Sequence, residues 1–194
     1  DGWRLLGGRS RVKDAKAKAR PDPSASSAQA HRDAAPKAVR VHVITVSDSR
    51  TLETDTGGAL VAEMLAAKGH LVPTREIVRD EPAAIQAALR AALSQEGIDA
   101  VILTGGTGIA PRDLTPESVQ PLLERILPGF GELFRMLSFE EIGAAALLSR
   151  ALAGLARGRV VFALPGSRAA VRLALERLIL PELGHLTAEA VKQR

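Results

Sequence analysis

The chain contains no cysteine, and aromatic side chains make up only 3% of its 194 residues. Without cysteine, disulfides, thiolate zinc sites, iron–sulfur clusters and a cysteine nucleophile are all excluded. The four histidines are scattered, and no two of them have the spacing of a zinc-binding helix. The shortage of aromatic rings leaves few platforms for stacking nucleic-acid bases, so the core must be built from aliphatic side chains.

Long hydrophobic runs are also missing, because charged residues interrupt every apolar stretch before it reaches the roughly 18 residues that cross a bilayer. A membrane is therefore not an expected partner. A soluble cytoplasmic protein is the expectation.

The formal net charge of +4 comes entirely from the first 38 residues, which carry nine basic and four acidic side chains. Residues 39–194 carry 17 basic and 18 acidic side chains. A near-neutral domain lacks the clustered basic face that phosphate backbones require, so nucleic acid is not an expected partner. Nucleic-acid binding by the basic segment alone is the weakest alternative. Residues 1–38 are rich in Pro, Ser, Ala and Lys, which predicts a disordered leader before one domain at 39–194.

Strands and helices alternate along the domain. Periodicity and turn residues predict strands at 39–46, 71–78, 100–104 and 160–164, and helices at 57–68, from Pro82, from Thr115 to before Pro128, at 131–142 and after Ser167. Thr115 is a candidate N-cap because Pro116 and Glu117 follow it. The alternation predicts an α/β fold with a mostly parallel sheet.

Ligands of such sheets bind beyond the carboxyl ends of the strands, where three loops are predicted to meet. These loops are Ser47-Asp48-Ser49, residues 105–113 and Pro165-Gly166-Ser167. The run Thr104-Gly105-Gly106-Thr107-Gly108 offers backbone amides that can cradle an anion, although a tight turn explains it equally well. Ser167 also has two interpretations, because a serine at a helix start binds an anion or simply caps the helix.

Asp80 and Asp113 each stand just before a helix, and Asp48 follows the first strand. A single aspartate in such a place is usually an Asx-turn or a partner of the helix dipole. Two of them beside a glycine loop suit Mg²⁺ that bridges phosphates, since Mg²⁺ uses one or two carboxylates plus substrate oxygens. Ser149-Arg150 is a candidate for a phosphate or a polar ring edge, with a surface ion pair as the alternative for Arg150.

Five motifs in order resemble the MoaB/Mog family of molybdopterin-binding proteins over roughly residues 39–194. They are Thr104-Gly105-Gly106-Thr107-Gly108, Pro111-Arg112-Asp113-Leu114-Thr115-Pro116-Glu117, Gly129-Phe130-Gly131-Glu132, Leu148-Ser149-Arg150-Ala151 and Leu164-Pro165-Gly166-Ser167. The resemblance implies a three-layer α/β/α sandwich, assembled as a homotrimer or a dimer of trimers, that acts in molybdenum-cofactor biosynthesis. Trimer contacts are an expected use of the apolar segments 144–148 and 152–155.

The resemblance also implies an activity, the adenylylation of molybdopterin with ATP and Mg²⁺, and roles for particular residues. Asp80, Asp113 and Ser149 match catalytic positions, and the two aspartates match the metal ligands. The matched substrate and nucleotide positions are Ser47, Asp48, Asp55, Gly57, Thr104, Gly105, Gly106, Thr107, Gly108, Arg150, Pro165, Gly166 and Ser167.

The stretch from Phe130 to Ile142 resembles the B branch of the family more than the adenylyltransferase branch. The alternative function is therefore a non-catalytic molybdopterin-binding or scaffold protein of the same pathway. Other proteins of that pathway are further candidate partners.

Overall fold

A six-stranded sheet forms the centre of the molecule in the computed structural model, which describes residues 36–192. The strands are β1 Arg40–Val46, β2 Leu71–Val78, β3 Ala100–Thr104, β4 Arg125–Ile126, β5 Leu152–Ala156 and β6 Arg159–Leu164. The helices are α1 Thr56–Ala67, α2 Pro82–Ser94, α3 Thr115–Val119, α4 Pro128–Ile142, α5 Arg168–Ala174 and α6 Leu180–Val191. Turns of 3₁₀ helix follow α3 (Gln120–Leu122) and α4 (Gly143–Leu148), and a π-helical turn (Leu175–Ile179) joins α5 to α6.

The strand order is β2-β1-β3-β6-β5-β4, with a parallel part and an antiparallel part. β1 pairs in parallel with both β2 and β3, and β3 pairs in parallel with β6, with Val43 opposite Ile102 and Ile102 opposite Phe162. β5 and β4 continue the sheet in the antiparallel sense. The carboxyl ends of the four parallel strands therefore meet at one edge.

Helices cover both faces of this sheet, and each face has its own core. One core joins β1, β3 and β6 to α1, α4, α5 and α6 through side chains such as Val43, Leu65 and Phe134. The other joins the same strands to α2 and α3 through side chains such as Ile44, Leu89 and Val119. Alternate residues of one strand thus enter opposite cores, which requires apolar side chains on both faces. The predicted three-layer α/β/α architecture is confirmed.

The structure also differs from the sequence-based predictions. The α-helix that begins at Thr115 ends at Val119, because Pro121 removes a backbone donor and the chain then turns into β4. The prediction that Thr115 caps this helix is wrong, because Leu114 occupies the N-cap position and no side chain caps the helix. The segment 152–155 belongs to β5 within the sheet, where Ala153 and Gly154 are buried, and its role in trimer contacts stays a prediction. β4 and β5 had no predicted counterpart.

The predicted leader falls mainly on residues 1–35, which lie outside the described residues. Between residues 36 and 192, no helix combines the length and the apolar character that crossing a membrane would require.

Candidate functional site

The loops after the parallel strands meet at the carboxyl edge of the sheet, as their positions in the sequence predict. Thr104 ends β3, and its hydroxyl donates to the carbonyl oxygen of Pro165 after β6 (3.2 Å). The amide of Gly105 donates to Leu164 O (3.0 Å), which ties the same two loops together again. The amide of Ser47 after β1 donates to Val78 O at the end of β2 (2.9 Å). Hydrogen bonds beyond the strands thus join the end of β3 to that of β6 and the end of β1 to that of β2.

The loop after β3 needs glycine at two consecutive positions. Gly105 has φ +105° and Gly106 has φ +61°, both in the left-handed region. A Cβ on Gly105 would lie 2.3 Å from the carbonyl oxygen of Val46, and a Cβ on Gly106 would lie 2.4 Å from the Thr115 hydroxyl oxygen. Any side chain at these positions would thus combine backbone strain with a steric clash.

Asp80 lies beside Gly106, with its carboxylate oxygens 3.0 and 3.1 Å from the position of that missing Cβ. Its amide donates to Asp48 Oδ1 (3.1 Å). Burial raises the pKa of the Asp80 carboxyl above its ordinary value, and the charges of Asp113 and Asp48 act in the same direction. A hydrogen bond from the Leu114 backbone and the Arg112 charge partly oppose this rise in the pKa.

One oxygen of this carboxylate, Oδ1, is buried and has no hydrogen-bond partner. An unpaired buried acceptor costs roughly 1–3 kcal/mol, so its presence calls for an explanation. Of the side-chain atoms in the described part of the chain, only Thr115 Oγ1 shares this condition.

Asp113 follows the same glycine loop, and its side chain is hydrogen-bonded to the backbone of that loop. Its Oδ2 accepts a hydrogen bond from the amide of Ala110 (3.0 Å), and a Cβ on Gly108 would lie only 2.7 Å from that oxygen. Asp113 therefore ties the loop to itself through the amide three residues earlier, and it also lines a cleft.

Arg150 fastens the glycine loop to the rest of the molecule. Its Nε donates to Gly108 O (2.9 Å), its second terminal nitrogen donates to Asp113 O, and its first forms an ion pair with Glu117. Three of its nitrogens are thus engaged by protein acceptors. This arrangement indicates a positioning role, whereas the predicted contact of Arg150 with a ligand stays a prediction.

A cleft of about 310 Å³ opens between the glycine loop and α4. Residues 105–108, Asp113, Ser149 and the Pro165-Gly166-Ser167 loop line one side of it, so most predicted site residues converge here. Phe134, Ser138 and Ile142 line the other side from α4, and sequence reasoning missed all three as site residues. Their spacing of four residues places them on one face of a helix, which is the signal that could have found them.

A second recess of about 340 Å³ lies on the other side of Gly105 and Gly166, and Asp55, Gly57, Thr104 and Arg50 line it. Asp55 is almost completely buried there, with an exposed fraction of 1%. Its carboxylate accepts from the Thr45 hydroxyl (2.8 Å) and, as the N-cap of α1, from the amide of Gly58 (2.9 Å). Both oxygens of Asp55 are therefore occupied by the fold.

The remaining predicted residues have local roles in the structure. The Ser47 hydroxyl accepts from the amides of Ser49 and Arg50 (3.3 Å each), and Ser167 caps α5 by accepting from the amide of Ala170 (3.2 Å). Asp48 is exposed and contacts Asp80 as described above.

The carboxylates near the glycine loop fit a cation that takes most of its ligands from a substrate. Across residues 36–192, no three or more His, Asp or Glu side chains lie close enough together to hold a metal ion by themselves. Asp80 and Asp113 nevertheless both border the glycine loop, and Asp80 retains an unpaired carboxylate oxygen. One or two carboxylates with phosphate oxygens is the ligand set that Mg²⁺ prefers.

Comparison with known proteins identifies the family of the chain. A family model described as a probable molybdopterin binding domain matches residues 42–185. The chain is 53% identical over 169 residues to the molybdenum cofactor biosynthesis protein B of Halalkalibacterium halodurans, covering 87% of this chain and 99% of that protein. The protein of the same name from Bacillus subtilis is 51% identical with the same coverage.

Solved structures give the same result. The crystal structure of a molybdenum cofactor biosynthesis protein B superposes with a TM-score of 0.80 at 52% identity, over 82% of this chain and 99% of that one. The tungsten cofactor synthesizing protein MoaB from Pyrococcus furiosus has a TM-score of 0.73 at 42% identity, over 81% of this chain and 100% of that one. This chain belongs to the MoaB/Mog family of molybdenum cofactor biosynthesis proteins.

Proposed function

We propose that the protein transfers AMP from ATP to molybdopterin in the presence of Mg²⁺. In this reaction an oxygen of the terminal phosphate of molybdopterin attacks the α-phosphorus of ATP. The bond between the α-phosphorus and the bridging oxygen to the β-phosphate breaks, and pyrophosphate leaves with that electron pair. The product is a phosphoanhydride, adenylylated molybdopterin. Such a transfer requires no nucleophilic side chain, which is compatible with a chain that has no cysteine.

The observation that carries the proposal is the meeting of Asp80 and Asp113 at a glycine loop with two positive φ angles, where Asp80 keeps a buried oxygen without a partner. A fold that leaves this acceptor unpaired carries an energetic cost, which a functional use of the carboxylate explains. The raised pKa of Asp80 is a further sign of a site adapted to ligands.

Some residues of this chain would orient the substrates, and others would help to neutralise the charge of the phosphates. The amides of residues 106–108 would donate to phosphate oxygens, as consecutive exposed amides do in other anion sites, whereas the Gly105 amide already donates to Leu164 O. Asp80 and Asp113 would hold Mg²⁺, which neutralises charge on the phosphates when it is bound. Ser149 and the α4 wall of the cleft would contact the pterin, and the recess lined by Gly57 and Thr104 would take part of the nucleotide.

The alternative is a protein that binds molybdopterin without turning over ATP. Two observations favour it: the Asp113 carboxylate already accepts from Ala110, and the B-branch relatives are the most similar proteins reported above. In this case the cleft beside α4 would be the working site, and the carboxylates would only shape its edge.

The decisive experiment incubates the protein with molybdopterin, ATP and Mg²⁺ and measures pyrophosphate. Release that depends on molybdopterin supports transfer. Calorimetric binding of molybdopterin without pyrophosphate release supports the binding protein instead, and absence of both overturns the proposed function.

We also propose that the protein assembles as a homotrimer or a dimer of trimers and works in the cytoplasm, with molybdopterin and ATP rather than nucleic acid or a membrane as its partners. Large apolar side chains are exposed on α4 and the following 3₁₀ turn, namely Met136, Phe139, Ile142, Leu147 and Leu148. Contiguous exposed apolar surface of this kind usually marks an interface. Sedimentation of wild type and Phe139→Asp would test it, with a smaller species expected for the variant and unchanged sedimentation arguing against this face.

A further inference from the structure

Thr115 combines complete burial with an unused hydroxyl group. The residue has an exposed fraction of 0%, and its Oγ1 has no hydrogen-bond partner. Its backbone amide donates to Gly106 O (2.9 Å), so the residue is anchored directly beneath the glycine loop. A buried hydroxyl almost always finds a partner in a native protein, and valine would fill the same space without a polar atom.

The other unpaired atom, Asp80 Oδ1, borders the same point beside Gly106. Thr115 Oγ1 lies 2.4 Å, and Asp80 Oδ1 3.0 Å, from the single point that a Cβ on Gly106 would occupy. A hydroxyl donates and a carboxylate oxygen only accepts when it is ionised, so the two groups are complementary. Glycine at position 106 places no side chain at the point that both atoms border.

We propose that Thr115 is a positioning residue for Asp80, whose buried carboxylate oxygen accepts a hydrogen bond from the Thr115 hydroxyl. This contact fixes the plane of the carboxylate. The part of the half-buried Asp80 side chain that remains accessible is then directed toward the ligand. The functional consequence rests on the proposed AMP transfer, whereas the hydrogen bond itself does not.

The test compares wild type with Thr115→Val, which removes the hydroxyl at nearly constant volume, and Thr115→Ser, which keeps it. Ser118→Ala is the matched control, because Ser118 is a buried hydroxyl of the same short helix that already donates to Leu114 O (2.7 Å). Thr115→Val keeps the volume of the side chain and costs Asp80 at most one hydrogen bond, so the variant is expected to fold.

The first readout needs no turnover. In the ligand-free protein, the ¹³C signal of the Asp80 carboxyl is expected to show a deuterium isotope shift between H₂O and D₂O that persists in Thr115→Ser and Ser118→Ala. The shift should shrink in Thr115→Val. An isotope shift that is the same in Thr115→Val as in wild type would overturn the proposal, whether or not the protein transfers AMP.

The second readout is the AMP-transfer rate. Thr115→Val should lower kcat about tenfold with little change in KM, because misplacing a catalytic group slows the reaction more than it weakens binding. Thr115→Ser should recover most of that rate. Equal losses in Thr115→Val and Thr115→Ser, or none in either, would contradict a positioning role. If wild type itself releases no pyrophosphate, the proposed function fails and the isotope shift alone decides the Thr115 proposal.

Discussion

Two aspartates at the same edge of the sheet have opposite surroundings. Asp55 is 1% exposed, and its oxygens accept from the Thr45 hydroxyl and the Gly58 amide. Asp80 is half-buried, and its Oδ1 is enclosed without a partner. The family resemblance predicts a substrate or metal role for both residues, yet of the two only Asp80 has an oxygen without a partner. The difference teaches that the fold holds the Asp55 carboxylate by both oxygens, whereas the Asp80 carboxylate has an oxygen left for a further contact, with the Thr115 hydroxyl or with a ligand.

Replacement of the ligand-facing aspartates should give the largest effect. Asp80→Asn and Asp113→Asn are expected to lower AMP transfer by a factor on the order of 100 to 1,000, because each removes a negative charge that would hold the Mg²⁺ on the phosphates. The pyrophosphate assay measures this loss. Asp99→Asn is the control, since Asp99 Oδ2 accepts from the Arg40 amide at the opposite end of the strands.

The same Asp80→Asn variant should not be less stable than wild type in urea. Burial raises the pKa of the Asp80 carboxyl, which means that its negative charge is unfavourable in the folded state. A decrease of more than about 1 kcal/mol in the free energy of unfolding, the net value of an ordinary hydrogen bond, would mean that the Asp80 carboxylate stabilises the fold as that of Asp55 does.

Asp55→Ala should act on stability first. The change removes the N-cap of α1 and leaves the buried Thr45 hydroxyl unpaired, which together should lower the free energy of unfolding by about 3 kcal/mol. Urea denaturation measures the change. Asp55→Asn keeps a side-chain acceptor for the Gly58 amide and should lose clearly less. Unchanged stability in Asp55→Ala would mean that this carboxylate is held for a ligand.

Gly58→Ala tests the same region from the helix side. A Cβ on Gly58 would lie 2.3 Å from Asp55 Oδ2 and 2.5 Å from Thr45 Oγ1, so it should push the two apart at a cost of about 2 kcal/mol. Gly129→Ala in α4 is the matched control, because a Cβ there meets nothing within 4 Å. Thermal unfolding should separate the two variants, and equal midpoints would contradict the tight Asp55 contact.

The smallest effect is a pH dependence at the opposite end of β1. His70 Nδ1 accepts a hydrogen bond from the Val39 amide (3.2 Å), and burial lowers the pKa of His70 below its ordinary value of 6.5. The unfolded chain therefore binds this proton at a higher pH than the folded chain does. Stability should be complete above about pH 6.5 and should decline as the pH falls below it.

Urea titrations at several pH values measure this decline, and His70→Gln should flatten it. An equally steep decline in His70→Gln would assign the effect to other groups.

Whether a site residue could be predicted from the sequence depends on its position relative to the strands and helices. The glycine run, Asp80 and Asp113 could be found because parallel strands place their carboxyl ends together. Phe134, Ser138 and Ile142 were missed because a helix face has the same periodicity whether it packs on a core or borders a cleft. Thr115 looked like a cap, since Thr followed by Pro is a usual helix start, but the helix begins one residue earlier than that assignment requires.

The strands also divide into those that the sequence predicts and those that it does not. β1, β2, β3 and β6 could be predicted because buried parallel strands are continuous apolar runs bounded by turns. β5 is made of Leu, Ala and Gly, and β4 is only two residues long, so neither has a strong local preference. Pairing with β6 makes β5 a strand, and pairing with β5 does the same for β4.

The amino-acid sequence by itself determined the family, the alternation of strands and helices and the glycine loop, because these depend on local patterns and on backbone angles that only glycine adopts readily. Only the tertiary structure decided which polar atoms are satisfied. Asp55 and Asp80 are both aspartates at the same edge of the sheet. Their surroundings differ because Thr45 and Gly58 contact Asp55, whereas Gly106 and Thr115 lie beside Asp80. These neighbours come from separate parts of the chain. Hydrogen bonding in a buried space depends on these distant neighbours, and no local pattern records them.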